Sequence, residues 1–513
     1  MKRMILVLLA MLSLSASAQQ SESKTQADSK IQADNKTKVL ILGGTLIDGT
    51  GSARRIADVR IVGDTIKEIG KLKPLPGERV IDAKGLIVAP GFVDVHNHSE
   101  RGFANDPTAR TQILQGITTI AVGPDGGSPF PIAEYLELRE KQRLATNLIA
   151  FVGHATVRQQ VLGTDYKRTA TEAEIAKMAE LVEQAMRDGA VGLSSGLEYD
   201  VGNPATTEEV IALSKVAARY GGIYMSHVRD EADLAFDAFR EAIRIGREAR
   251  LPVQISHIKL GTVGVWNKAG EVVKLIEAAR RSGLDITADC YPYDAWGSTI
   301  TVLIPSRRHD DPVAVKKGLD DVGGGGNVLI TSCSAHRDYE GKTLDEIAKA
   351  NGKSAVEVYI QIVKDGGAGV VCKSMIEPDI KTFYQQRWVM VASDGGIGTR
   401  HPRGAGSFPR VLGRYVRQQK WLSLEEAIRK MSSFPAWRLG LKDRGAIKVG
   451  MKADVIVFDP NQVIDRSTMT QPGIEPVGVQ YVFVNGGAVV AEGKVTGDRT
   501  GTILRHRSTA KSK

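Results

Sequence analysis

The sequence predicts an α/β protein. Its core is a (β/α)8 TIM-type barrel, joined to a small β-sandwich made from both chain ends and interrupted by an insertion after the seventh strand. Three observations predict this. Eight short apolar runs, each followed by helical sequence, fill the middle of the chain. Polar residues gather at the C-terminal ends of many different runs, where barrel enzymes build their sites. Two short β-rich segments bracket that middle, and chain ends often lie together. A doubly wound sheet also alternates strand and helix; the strand count and the spread of polar strand ends favour the barrel.

The elements follow in chain order. Lys2 and Arg3, the apolar stretch Met4 to Leu14, and Ala16-Ser17-Ala18 have the form of a secretory signal peptide over 1–18. The alternative is a membrane anchor, but the apolar run is too short to span a bilayer. Export to a bacterial periplasm is the simplest expectation. Residues 19–36 are polar and read as a disordered leader. The N-terminal half of the β-domain is expected over 37–88, with Val39–Leu42, a Gly63-Asp64 hairpin turn and Val80–Asp82.

The barrel is expected over 89–440. Its runs are Ile87–Val95, Ile117–Val122, Leu148–Gly153, Ala190–Ser195, Ile223–His227, Val253–His257, Asp285–Tyr291 and Val389–Ser393. Thr171-x-x-Glu174, Thr206-x-x-Glu209 and Ser423-x-x-Glu426 are capping boxes that open helices. The gap between Tyr293 and Val389 is too long for one crossover and implies an insertion over about 295–388. It includes a helix at Ala355–Val363 and is a candidate lid over the barrel mouth. Residues 441–498 return to short β runs and complete the β-domain. A basic tail, 499–513, ends the chain.

Composition narrows the function. The 513 residues are 42% hydrophobic and 25% charged, ordinary for a soluble globular protein, and the net charge of +9 is mild for this length. No internal basic run is interleaved with aromatics, so nucleic-acid binding is not expected. No later segment reaches eighteen apolar residues, so no membrane span is expected. Three cysteines, Cys290, Cys333 and Cys372, leave at least one unpaired in a lone chain and lack zinc-ribbon spacing. The composition leaves open a basic pocket for an anionic small molecule and says nothing of oligomeric state.

The nine histidines are placed informatively. His96-x-His98 ends the first run, where i and i+2 share a face and two imidazoles converge. His227 ends the fifth run, His257 the sixth, and Asp394 the eighth. Imidazole and carboxylate are donor types that zinc takes. Arg229 and Lys259 stand two residues beyond His227 and His257, and both point into the barrel mouth if the strands continue. Arg403 follows Asp394. Guanidinium and ammonium groups suit a substrate carboxylate. His154 ends the third run and is a candidate hydrogen-bond donor near the site.

This constellation, with Ala89-Pro90-Gly91-Phe92-Val93-Asp94 ahead of it, resembles the amidohydrolase superfamily over about 39–495. It is most similar to the N-acyl-D-amino-acid deacylases. The resemblance is carried by Gly192–Leu197 with Tyr199, Ser226–Glu231, Ser256–Lys259, Tyr291-Pro292-Tyr293, Ser393-Asp394-Gly395, His401-Pro402-Arg403 and Phe408–Gly413.

The resemblance implies zinc, one or two ions, and hydrolysis of the amide of N-acyl-D-amino acids. It implies metal ligation by His96, His98, His227, His257 and Asp394. Asp394 also takes a water proton and passes it to the leaving amine. Lys259, Arg403 and Tyr293 become substrate contacts, with Tyr199, Arg229 and His154 as further candidates; Tyr293 is alternatively barrel-mouth packing. One loop departs from the pattern. Where the family has Gly-Asn-Cys-Gly with a ligating cysteine, this chain has Gly123-Pro124-Asp125-Gly126. Asp125 is therefore the candidate carboxylate ligand, and Glu198 a second candidate bridge. Alternative readings are another superfamily amidase, such as a dipeptidase or cyclic-amide hydrolase, and an inactive binding or scaffold relative.

Overall fold

A computed structural model describes residues 38–506. The expected signal peptide, the leader and the last seven residues lie outside the described residues. Eight parallel strands form a (β/α)8 barrel: Phe92–Asp94, Ile117–Val122, Asn147–Ala150 continued by Val152–Gly153, Gly192–Gly196, Ile223–His227, Val253–Ile255, Ile286–Cys290 and Val389–Val391. The ring closes between the last and first strands. Asp394 N donates to His96 O at 3.0 Å, and His98 N donates to Gly395 O at 2.7 Å. Closure thus falls on the residues that carry the candidate site.

The apolar run Ile87–Val95 divides at Gly91. Ile87–Pro90 pairs with Val455–Phe458 in the β-domain, and only Phe92–Asp94 belongs to the barrel. A Cβ on Gly91 would lie 2.3 Å from the Thr118 side chain, so the chain passes between the layers only without one. The β-domain is a sandwich of a four-stranded and a seven-stranded sheet, the latter mixing strands from both chain ends. One core joins them, with Val39, Ile41, Val59 and Ile61 packing with Val455, Val457 and Phe483. Residues 499–506 run beside the third barrel strand, where Leu148 N donates to Thr502 O at 3.0 Å.

After the seventh strand comes a small unit with its own core. Its antiparallel sheet is Trp296–Thr299, Gly369–Cys372 and Val328–Ser332, covered by helices Pro312–Asp321, Leu344–Asn351 and Ala355–Lys364. The next helix, Glu377–Tyr384, packs Ile380, Phe383 and Tyr384 into the barrel core instead.

Local sequence explains the helix starts. Thr171 and Glu174 form a reciprocal capping box. Thr206 caps through Glu209 N, but the Glu209 carboxylate turns inward to His154 and Arg158 rather than back to the cap. All three cysteines are buried and free. Among the described residues, no helix is long and apolar enough to cross a membrane.

Candidate metal centre and active site

The site lies at the C-terminal ends of the barrel strands and faces a cavity of about 830 Å³. His96, Asp125, His257 and Asp394 offer donor atoms that all lie within 4.8 Å of one another. His96 Nε2 is 3.1 Å from Asp125 Oδ2 and 3.4 Å from Asp394 Oδ1. His98 Nε2 is 3.5 Å and 3.3 Å from the same two oxygens. His257 Nε2 is 3.5 Å from Asp125 Oδ2. Donors on a tetrahedral zinc with bonds near 2.0–2.1 Å are spaced by about 3.4 Å. A second group shares His257 and adds His227 and Glu231.

Backbone geometry holds these groups at some cost. Asp125 (φ 56°), His257 (φ 31°) and Asp394 (φ 48°) are all left-handed, a state costing non-glycine residues about 1–3 kcal/mol each. The Asp125 loop is pressed against the fourth strand. A Cβ on Gly196 would lie 2.2 Å from Asp125 O, so that strand must end in glycine. Asp94 pins the eighth strand by accepting from Ser393 N at 3.0 Å and Ser393 Oγ at 2.5 Å. Asp289, buried on the seventh strand, accepts His257 N–H at 2.8 Å and lies 3.3 Å from His96 Nδ1. A carboxylate behind a ligating imidazole fixes ring orientation.

The electrostatics fit a cation. Burial opposes charge on His96, yet the Asp125 and Asp394 carboxylates outweigh it and push the imidazole up to about 10. Burial would likewise raise Asp125, but His96 and His257 hold it well below the carboxylate range. For Asp394 burial is outweighed by the Arg403 guanidinium, with His96 and His257 adding to it, so it stays ionised. Asp125 Oδ1 is buried with no hydrogen-bond partner. A buried carboxylate with one orphaned oxygen and three imidazoles on the other fits a metal ion.

Two of the cations that line the cavity stand beside the donor groups. Lys259 Nζ donates to Glu231 Oε1 at 2.6 Å and lies 2.6 Å from His257 Nδ1. Arg403 Nη1 donates to Asp394 Oδ2 at 2.6 Å, and its Nε has no partner. His401 Nδ1 accepts Arg403 N–H at 3.0 Å. Tyr199 Oη is 3.1 Å from His227 Nδ1 and also faces the cavity. The insertion supplies one wall through Trp296, Val302, Leu303 and Val322.

Residues 79–490 match the amidohydrolase family. The chain belongs to that family. It is 36% identical to a D-aminoacylase of Alcaligenes xylosoxydans xylosoxydans, over 91% of this chain and 97% of the relative. It is 37% identical to an N-acyl-D-glutamate deacylase of the same organism, over 91% and 96%. The crystal structure of N-acyl-D-glutamate deacylase from Bordetella bronchiseptica, complexed with zinc and a phosphonate mimic of the tetrahedral intermediate, superposes with a TM-score of 0.83. That match is 34% identical and covers 92% of this chain and 100% of the other.

In this amidohydrolase three expected site residues sit away from the cavity. His154 opens the helix His154–Leu162 and points away from the cavity, with Nε2 2.8 Å from Glu209 Oε1 in a buried cluster with Arg158. Arg229 turns outward, held by Glu241 at 2.8 Å and by the Asn203 carbonyl, because the chain leaves strand geometry after His227. Tyr293 is buried behind the wall, donating to Pro402 O at 3.3 Å and stacking beneath Arg410. Glu198 lines the cavity, with Oε2 2.7 Å from His227 Nε2 in the second donor group.

Sequence reasoning assigned no role to Glu231 or Asp289. Asp289 had a signal, an acid in the middle of the seventh strand run. Glu231 lay within a recognised motif, but an i+4 offset past a strand end gives no direction.

Proposed function

We propose that this chain is an exported, zinc-dependent deacylase of N-acyl-D-amino acids. It adds water across the amide and releases a carboxylate and the free D-amino acid. The observation that carries the reading is the buried His96–Asp125–His257–Asp394 cluster beside two cations, in a chain so similar to D-amino-acid deacylases. His96, Asp125, His257 and Asp394 would hold zinc, with His98 beside them, and His227 and Glu231 extend the donor set past His257. Bound zinc supplies Lewis acidity toward the acyl carbonyl and makes water acidic enough to ionise near neutral pH.

The protein's own groups do the rest. Asp394 takes the proton of the attacking water and passes it to the departing nitrogen. Arg403 keeps that carboxylate ionised and aimed, and its guanidinium, which lines the cavity, binds the substrate carboxylate together with Lys259. Tyr199 donates to the substrate beside His227. The insertion wall acts as a lid that limits water in the cavity. Export to a periplasm rests on the charged and apolar start of the chain and its Ala16-Ser17-Ala18 site.

The test is to purify the chain from Gln19 onward, count zinc per chain and assay N-acetyl-D- and L-amino acids before and after chelation. One or two zinc ions with D-selective, chelator-sensitive hydrolysis is expected. A zinc-loaded sample that leaves every linear N-acyl-D-amino acid intact would overturn the reading.

A further inference from the structure

A third cation lines the same cavity, after a strand that lies across the ring from the one leading to Lys259. Arg139 lies on the helix Ile132–Gln142 that follows the second strand, and it is 7% exposed. No carboxylate lies within ion-pair distance of it among the described residues. Its Nη1 donates to the neutral Gln142 Oε1, and its Nε is buried with no partner. The guanidinium lies over the Tyr135 ring, 5.2 Å from its centroid. The nearby Glu100 carboxylate faces His98 Nδ1 at 3.8 Å instead. Arg101 adds a second positive charge to this wall. A guanidinium buried in a cavity wall without a counter-ion, with donors unspent, is a built receptor for an anion.

Topology says which part of the substrate reaches it. The second and sixth strands of an eight-stranded ring lie across from one another, so Arg139 and Lys259 flank the metal donors from opposite sides. On the reading above, the amino-acid carboxylate sits at Lys259 and Arg403 with the scissile amide at the centre. The acyl group then extends toward Arg139. We propose that Arg139 binds an anionic group at the far end of the acyl chain. The preferred substrates are amino acids whose nitrogen carries a dicarboxylic acyl group. Hydrolysis adds one water across the amide and gives the dicarboxylate and the free amine. This inference rests on the proposed deacylase reading for its orientation.

The test compares N-succinyl with N-butyryl derivatives of one D-amino acid, which match in length and differ in charge. The wild-type enzyme is expected to show a kcat/KM at least tenfold higher for the succinyl compound. In R139M that ratio falls to near one, and in R139K it lies between, with thermal melting recorded for each variant to show that it is folded. A wild-type ratio near one, or a ratio unchanged in folded R139M, overturns the inference while leaving the deacylase reading intact. If neither compound is hydrolysed, the deacylase reading is in question. Calorimetric titration of succinate against butyrate then decides the inference alone: succinate binding tighter in wild type but not in R139M supports it, and equal binding sinks it.

Discussion

Arg403 and Asp394 stand nine residues apart in sequence and 2.6 Å apart in space, and both side chains are almost wholly buried. Each explains the other. The carboxylate neutralises a guanidinium that has left water, and the guanidinium keeps the carboxylate ionised in a site that also holds imidazoles. On the proposed reading, the pair joins the proton-handling group to the group that binds the substrate carboxylate.

Replacing Arg403 with methionine is expected to raise KM and also to lower kcat, because it removes a substrate contact and the counter-ion that keeps Asp394 ionised. Losing a charge-assisted contact of roughly 1.5–3 kcal/mol raises KM for N-acetyl-D-amino acids by about 10- to 100-fold. Lys259→Met shifts KM in the same direction. Steady-state kinetics on one substrate check both. A KM within twofold of wild type in either variant would remove that residue from substrate binding.

Asp394→Asn keeps the shape of the side chain and removes its basicity. The expected fall in kcat is about 10²- to 10⁴-fold. Zinc content measured on the same sample separates a lost proton acceptor from a lost ligand.

Asp125→Ala removes the carboxylate that three imidazoles approach. Zinc affinity is expected to fall by more than the roughly 10–100-fold typical of supporting residues. Competition with a coloured chelator gives the number. Undiminished zinc affinity would show that Asp125 is not a ligand.

Glu209→Ala tests whether His154 belongs to the fold. The substitution leaves Arg158 buried without its counter-ion, which costs about 3–5 kcal/mol. A melting temperature several degrees lower is expected, with the KM of the enzyme that remains folded unaltered, since neither residue faces the cavity.

Lys430 gives a pH dependence with a definite sign. Burial lowers its pKa to about 7, and its amine donates to the carbonyls of Gln386 and Val389. Between about pH 7 and 10.4 the folded state holds it neutral while the unfolded chain stays protonated. Unfolding therefore takes up a proton, and stability rises with pH across that window by up to about 1.4 kcal/mol per unit. Relative to K430M, the wild-type urea midpoint should climb from pH 7.5 to 9.5. Parallel midpoints would contradict the buried neutral lysine.

Much of this was legible in the sequence because its causes are local. Strand runs, capping residues and HxH spacing depend on neighbours a few positions away, so the barrel and the strand-end positions of His96, His98, His227, His257 and Asp394 could be read directly. Directions past a strand end could not. Lys259 and Arg229 share the same i+2 offset from a histidine, yet Lys259 faces the cavity and Arg229 pairs outward with Glu241. Each side chain follows its loop and its counter-ion, and neither has a sequence period.

The sequence by itself determined the barrel, the split β-domain, the inserted unit and the donor types, since periodicity and residue chemistry specify them. Tertiary structure alone decided the partners. It put Asp289 behind His96, Arg403 on Asp394, Glu231 between His257 and Lys259, and His154 in a buried cluster with Glu209. The reason is physical. A buried charge is stable only beside an opposite charge or a matched donor, and which groups meet is settled by ring closure between residues far apart in the chain.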